Sequence, residues 1–204
     1  MQADLKSINN VKETTLNVIS NLLTDICEES KSRKDTNSEL IKPFLSKKKP
    51  AITIRKFLER IVNYTKIENS TLVLTLIYID RLCDIQKFKL NYLNIHKIII
   101  GALILAIKYN EDEYFDSTFY SKVTGVSKKT FEKIEYEMLS LINFSLYVQE
   151  DVFEKYNNYL QSEDYDDDNE TQEEEVSECA LKEAPMDLRE SIIISQKVKL
   201  IIIN

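Results

Sequence analysis

The stretch that decides the fold is IHKIIIGALILAIKYN, residues 95–110. No polar side chain stands between Ile98 and Ile107, and a helix that is apolar on every face is usually buried at the centre of a helical domain. The run is also too short to cross a bilayer, which takes roughly 20 residues. Small side chains let neighbouring helices approach it closely: Gly101, Ala102 and Ala106. We therefore predict a buried central helix, called here the hub helix.

Composition favours long helices around this hub. The chain has 204 residues, of which 43% are hydrophobic, so one domain with a real core and additional tails is expected. It has two glycines and three prolines, too few for the many turns of a β-rich or doubly wound fold. With only Gly101 and Gly125, neither a dinucleotide fingerprint nor a Walker A loop can be formed. The prediction is an all-α protein.

The cysteines and the single histidine give no metal-ligand pattern. Cys27, Cys83 and Cys179 are far apart and odd in number, and His96 is the only histidine. We predict no metal, no cofactor and no disulfide, with reduced thiols in an intracellular protein that is cytoplasmic, nuclear or both. The first residues, MQADLKSINN, lack the apolar region of a signal peptide.

Charge is distributed unevenly along the chain. The net charge is -7, but residues 163–178 hold ten acidic side chains and no basic one, which leaves the rest at +3. Neither part is strongly basic, so nucleic acid is not the expected partner. The run Lys47-Lys48-Lys49 is consistent with a contact for an acidic partner, although a solvated loop is about three times more frequent for such a run.

Apolar periodicity and capping residues predict the order of the helices. An N-terminal helix at about 14–29 and a loop to residue 50 come first. Five helices follow within residues 51–148, and an amphipathic helix flanks them at 149–161. The predicted N-caps are Thr53, Ser70, Asn94, Asp116 and Ser127. Residues 162–204 are acidic or Ile-rich and are predicted to be disordered.

The second of the five helices carries a carboxylate, Asp80, in a long apolar run. An isolated buried charge is too costly, so Asp80 needs a partner. Arg55, at the edge of the preceding helix, is the candidate.

Five stretches resemble the cyclin box, specifically that of the P/U-type cyclins, which include the yeast phosphate-regulatory group. They are TIRKFL (53–58), LIYIDRL (76–82), NIHKIIIGALILAIKYNEDEYF (94–115), FYSKVTGVS (119–127) and EKIEYEMLSLINFSLYV (132–148). Their order and spacing match one box. The resemblance implies a single box of five helices around a central third helix.

The resemblance also implies a function. A cyclin is a regulatory subunit that binds and activates a cyclin-dependent protein kinase by docking the kinase's C-helix. Lys108 and Glu135 stand at the positions that match the family's charged contacts with the kinase. The apolar part of the kinase-facing surface corresponds by position to Leu105, Tyr109, Leu139, Phe144 and Leu146. The family's internal arginine–aspartate pair corresponds to Arg55 and Asp80, in agreement with the pairing inferred from burial.

Two other classes of protein are alternatives to a kinase regulator. A cyclin-fold scaffold that activates no kinase is the alternative, and a DNA adaptor resembling transcription factor IIB would normally need tandem boxes and a basic face. No cluster of histidine, cysteine or paired carboxylates suggests an enzyme. We expect a kinase as partner, and no nucleic acid, membrane or small-molecule substrate.

Overall fold

The computed structural model describes residues 2–30, 39–87 and 89–161, and of residues 2–10 it describes the backbone alone. Every regular element in these ranges is helical, which confirms the all-α prediction. The helices are α1 (Gln2–Glu29), a short 3₁₀ helix (Glu39–Phe44), α2 (Ile54–Thr65), α3 (Asn69–Gln86), α4 (Ile95–Asn110), α5 (Ser117–Thr124), α6 (Lys128–Leu141) and α7 (Glu150–Gln161). The predicted disorder of 162–204 lies outside the described residues.

The hub helix is α4, and it is buried as predicted. All its residues from Ile98 to Ile107 are buried, and the helix packs against both α3 and α6. A Cβ atom placed on Gly101 would lie 2.9 Å from Cβ of Met138 in α6. The absence of a side chain at Gly101 therefore sets how closely α4 and α6 approach.

The flanking helices complete the core. The first helix begins at Gln2, well before the predicted start near residue 14, and packs against α2, α3 and α7. The last helix, α7, covers α1 and α3 and buries Tyr156 and Leu160. None of the described helices is long and apolar enough to cross a bilayer.

Three of the five predicted N-caps are confirmed. The side chains of Thr53, Asp116 and Ser127 each accept a hydrogen bond from a backbone N–H of the first helical turn. Such bonds satisfy backbone donors that have no partner inside the helix.

Of the other two predicted caps, Ser70 is wrong, and Asn94 stands at the N-cap position of α4 but makes no side-chain capping bond. Helix α3 already begins at Asn69, so Ser70 lies inside its first turn. Asn94 is fully buried and stabilises the loop before α4 instead: its Oδ1 accepts from the Asn91 backbone N–H at 2.9 Å and its Nδ2 donates to the Lys89 carbonyl at 2.9 Å. An asparagine side chain can bond either to the first turn of a helix or to the preceding loop. The geometry of the loop decides which of these bonds forms.

Because glycine is scarce, other residues adopt the left-handed conformation at helix ends. Lys66 (φ 53°) and Lys87 (φ 54°) cap the C-termini of α2 and α3. Gly125 (φ 75°) ends α5 in the usual way. After α6, two consecutive residues, Asn143 (φ 53°) and Phe144 (φ 56°), are left-handed. This conformation disfavours a side chain by about 1–2 kcal/mol per residue, so surrounding contacts must hold the turn in place.

Candidate partner-binding surface

An ion pair joins the hub helix to α6. The Lys108 ammonium, in the last turn of α4, donates a hydrogen bond to Oε1 of Glu135. These residues are 27 positions apart in the sequence, and packing of α4 on α6 brings them together. Their side chains are 39% and 19% exposed, so the pair lies at the surface and remains accessible to another protein.

Exposed aromatic side chains lie on, or directly after, the two helices that carry this ion pair. Tyr109 is 48% exposed and Phe144 is 64% exposed, while Leu139 and Leu146 are half-buried against the core. Tyr147, which no sequence pattern indicated as a surface residue, is 71% exposed. It lies in the link between α6 and α7 (residues 142–149), which has no helical periodicity from which exposure could be predicted. We call the following set the α4–α6 surface: Lys108, Tyr109, Glu135, Leu139, Phe144, Leu146 and Tyr147.

Leu105 does not belong to this surface. It is 4% exposed and lies within the core, so the structure corrects its assignment to the apolar contact area. The hub helix is apolar on every face, and a helical wheel of such a sequence cannot tell which leucine faces outward.

The link after α6 is held by α3. The Tyr78 hydroxyl donates to the Leu146 carbonyl at 2.9 Å, and Arg81 donates to the carbonyls of Ser145 and Tyr147. Burial raises the pKa of Tyr78, which keeps its hydroxyl protonated as a donor. These bonds account for the persistence of the left-handed turn and fix the backbone that displays Phe144 and Tyr147.

A groove of about 380 Å³ adjoins the aromatic residues. It lies between the start of α3, the end of α4 and the start of α7, and its walls include Leu74, Tyr109, Tyr147 and Phe153. Two exposed tyrosines thus share one concave site. Such a shape suits insertion of an apolar side chain from a partner protein.

Arg55 and Asp80, predicted to form a buried pair, have separate partners. The Arg55 guanidinium forms ion pairs with Glu13 of α1 and, at 2.5 Å, with Glu59 of its own helix. Asp80 accepts a hydrogen bond from the buried Tyr156 hydroxyl at 2.7 Å. Burial and the neighbouring Asp80 carboxylate raise the pKa of Tyr156, so its hydroxyl is a donor. Arg55 therefore connects α1 with α2, and Asp80 connects α3 with α7.

The described residues offer little for metal or thiol chemistry. No group of three or more His, Cys, Asp or Glu side chains in the described ranges could hold a metal ion. Burial raises the pKa of Cys27 to about 12 and that of Cys83 further, so both thiols are protonated at neutral pH. Cys179 lies outside the described part of the chain.

The five helices α2 to α6, with α4 as the buried hub and with α1 and α7 packed against them, define an all-helical domain. The Cyclin family model matches residues 5–146. Among curated relatives, Cyclin-U4-1 of Arabidopsis thaliana is 32% identical over 148 residues, which cover 71% of this chain and 73% of that protein.

Two further relatives match over a shorter range. Cyclin-U2-1 of Arabidopsis thaliana is 37% identical over 115 residues (56% of this chain, 52% of that protein). Cyclin-P3-1 of Oryza sativa subsp. japonica is 30% identical over 114 residues (56% of this chain, 48% of that protein). These matches span about half the length of both relatives. The chain belongs to the cyclin family, and its likeness to U- and P-type members makes it a cyclin of the P/U type. Family membership supports a regulatory role.

Proposed function

We propose that this chain binds a cyclin-dependent protein kinase through the α4–α6 surface and activates it by docking the kinase's C-helix. The observation that carries the proposal is the contact between Lys108 and Glu135, the two positions that match the charged kinase contacts of the cyclin family. Lys108 is followed by the exposed Tyr109, whereas the hub helix is buried from Ile98 to Ile107.

The ion pair suits docking because its two charges already neutralise each other. Burying a single unpaired charge at an interface costs several kcal/mol of desolvation free energy. Attraction to an opposite charge offsets this cost only when the two groups are well placed. The Lys108 ammonium has three N–H donors, of which Glu135 accepts one. The remaining donors can therefore bond to carbonyl or carboxylate oxygens of the kinase and fix the register of docking.

The aromatic side chains provide the contact area. Tyr109, Phe144 and Tyr147 are large and exposed, and tyrosine is enriched among the residues that dominate binding energy. Tyr78 and Arg81 hold the backbone of the link before any partner arrives. A surface ordered in advance loses less conformational entropy on binding.

Activation follows from where the kinase's own catalytic ion pair lies. Protein kinases require a lysine–glutamate pair between a strand and the C-helix. A surface that binds the C-helix only in its inward position shifts the kinase population toward the active arrangement. The size of the shift is set by the difference between the surface's affinities for the inward and outward positions.

The test is a pulldown from the protein's own cell lysate, with a protein-kinase assay on the eluate. Wild type should retain kinase activity, and the Lys108→Ala/Glu135→Ala variant should retain at least tenfold less, a loss of about 1.4 kcal/mol or more of binding energy. The matched control is Lys128→Ala/Glu132→Ala, which removes an exposed pair 4.0 Å apart on the same helix. This control should keep full activity.

A charge exchange separates partner contact from internal stability. Lys108→Glu/Glu135→Lys restores an ion pair between α4 and α6 but presents each charge at the other position. Thermal stability should therefore recover while kinase retention stays low. Retention by both double variants would refute the proposed contact, and a wild type that brings down no kinase would favour a cyclin-fold scaffold.

A further inference from the structure

Positive charge is concentrated before and at the start of α2. Residues 40–58 carry six basic side chains and no acidic one, although the chain has a net charge of -7. Within this stretch lies the loop between the 3₁₀ helix and α2, residues 45–52, called here the lysine loop. Its three lysines are all exposed, and none of them forms an ion pair with a carboxylate of the described residues: Lys47, Lys48 and Lys49. The loop therefore presents uncompensated positive charge.

The lysine loop is held in place by the first turn of the hub helix. The ammonium of the half-buried Lys97 donates to the Leu45 carbonyl at 2.6 Å. At the other end of the loop, Nε2 of the buried His96 lies 3.0 Å from the Ile52 carbonyl. Removing polar side chains from water is costly unless they are hydrogen-bonded, and the loop carbonyls supply these bonds. A run of lysines usually lies in a solvated loop, whereas this one is fixed at both ends.

The three lysine charges form a row on this fixed loop. The Lys49 ammonium lies 3.5 Å from the centre of the Tyr92 ring, a cation–π contact that positions it. Neighbouring side chains of a non-helical segment point to different sides, so the charges are spread along the loop instead of converging on one point. A row of charges suits the successive carboxylates of an extended acidic segment, whereas a single phosphate is bound best by donors that converge on it.

The lysine loop and the α4–α6 surface lie at opposite ends of the hub helix. Lys97, which holds the loop, stands in the first turn of α4, and Lys108 stands in the last turn. The two positions differ by eleven residues (108 minus 97), which is about 17 Å of helix. Both surfaces can therefore be occupied at the same time.

We propose that the lysine loop is a docking site for an acidic segment, rich in aspartate and glutamate, of a protein other than the one that binds the α4–α6 surface. This site is distinct from the proposed kinase contact and does not depend on it. Exposed charge pairs are individually weak and are screened by salt, so an isolated acidic segment binds reversibly. A partner that is also held elsewhere gains from the raised effective concentration of its acidic segment.

The test is zero-length carbodiimide crosslinking of the full chain to an N-acetylated decaglutamate peptide, followed by peptide mass spectrometry. The reagent joins carboxylates to amines that are in contact. The reference amines are the exposed lysines of α6: Lys128, Lys129 and Lys133. At low salt, the loop lysines should be linked about tenfold more often than these, because a fixed row of charges concentrates anions locally. The preference should be lost in 0.5 M NaCl, about where the screening length falls to a few ångströms.

The matched variants are Lys97→Met and Lys129→Met. Each removes one positive charge, but only Lys97→Met releases the loop from the hub helix. Links to the loop lysines should fall about threefold in Lys97→Met, because the row is no longer ordered in advance, and should stay unchanged in Lys129→Met. Far-UV circular dichroism checks that both variants are folded. Undiminished links in Lys97→Met would overturn the proposal, because attraction to charge alone would then account for them.

Two further outcomes would overturn the proposed docking site. Equal linking of the loop lysines and the α6 lysines in the wild type would indicate random collision. Suppression of the links by a short DNA duplex or a singly phosphorylated peptide, at a much lower concentration than by free decaglutamate, would indicate a ligand of a different class.

Discussion

Gly101→Ala tests whether the hub helix and α6 are in closest contact at the glycine. The added Cβ would lie 2.9 Å from Cβ of Met138, 3.1 Å from its Cγ and 3.2 Å from Cγ2 of Ile134. Carbon atoms in favourable contact are about 3.5–4.0 Å apart. The nearest atom is bonded directly to the α6 backbone, so rotation of the Met138 side chain cannot relieve the contact and the helices must separate by more than half an ångström.

Two opposing effects set the change in the free energy of unfolding that Gly101→Ala causes. Overpacking a core typically costs about 1–3 kcal/mol, while alanine is favoured over glycine inside a helix by about 1 kcal/mol. We expect net destabilisation of about 1 kcal/mol, measured by urea unfolding followed by far-UV circular dichroism. Propensity alone would give the opposite sign.

The double variant Gly101→Ala/Met138→Ala provides the control. Met138→Ala alone removes a fully buried side chain and should cost about 2–5 kcal/mol. In the Gly101→Ala background the cost should be smaller, because the Cγ contact at 3.1 Å is relieved. Stabilisation by Gly101→Ala, or additive effects in the double variant, would refute the proposed role of Gly101.

Three further predictions concern buried or paired side chains. Burial lowers the pKa of His96 below its ordinary value of 6.5. Near and below pH 6.5, the unfolded chain therefore binds more protons than the folded chain. The free energy of unfolding should then decrease from pH 7 to pH 6, and His96→Gln should flatten this dependence in urea titrations; an unchanged slope would contradict the burial of a neutral imidazole. Tyr156→Phe removes the hydroxyl bonded to Asp80 at 2.7 Å and should cost about 1.5–3 kcal/mol by the same assay, whereas a change below about 0.5 kcal/mol would exclude a strong bond. Arg55→Ala breaks only ion pairs with partly exposed partners and should cost about 0.2–1 kcal/mol; a loss of about 3–5 kcal/mol would restore the buried-pair interpretation.

Local features of the sequence predicted the hub helix and three of its neighbours' caps. Burial of α4 follows from a run of apolar residues, and the caps at Thr53, Asp116 and Ser127 depend on atoms within three positions of each other. The resemblance to cyclins also placed Lys108 and Glu135, which the fold brings into contact. Short-range chemistry and family pattern suffice for such features.

Features that depend on packing between distant helices were not accessible in this way. One of the two ion-pair partners of Arg55 is Glu13, which comes near only because α1 packs along α2. Leu105 faces the core although nothing in an apolar helix distinguishes its face. Tyr147 is displayed by bonds from α3 to the link after α6, and a link has no periodicity from which exposure could be predicted.

The distribution of polar contacts along α4 has a consequence for natural sequence variation. No directional bond from a side chain fixes the rotation of the helix between Ile98 and Ile107, whereas Lys97 holds a loop at one end. At the other end, Asn110 donates to the hydroxyls of Ser70 and Thr71, at 2.9 Å each. Aliphatic residues of equal volume should therefore exchange freely in the middle, at less than about 1.5 kcal/mol each, except at Gly101. In homologous chains, the aliphatic residues between Ile98 and Ile107 should vary, while the first and last turns of α4 should keep the same polar groups.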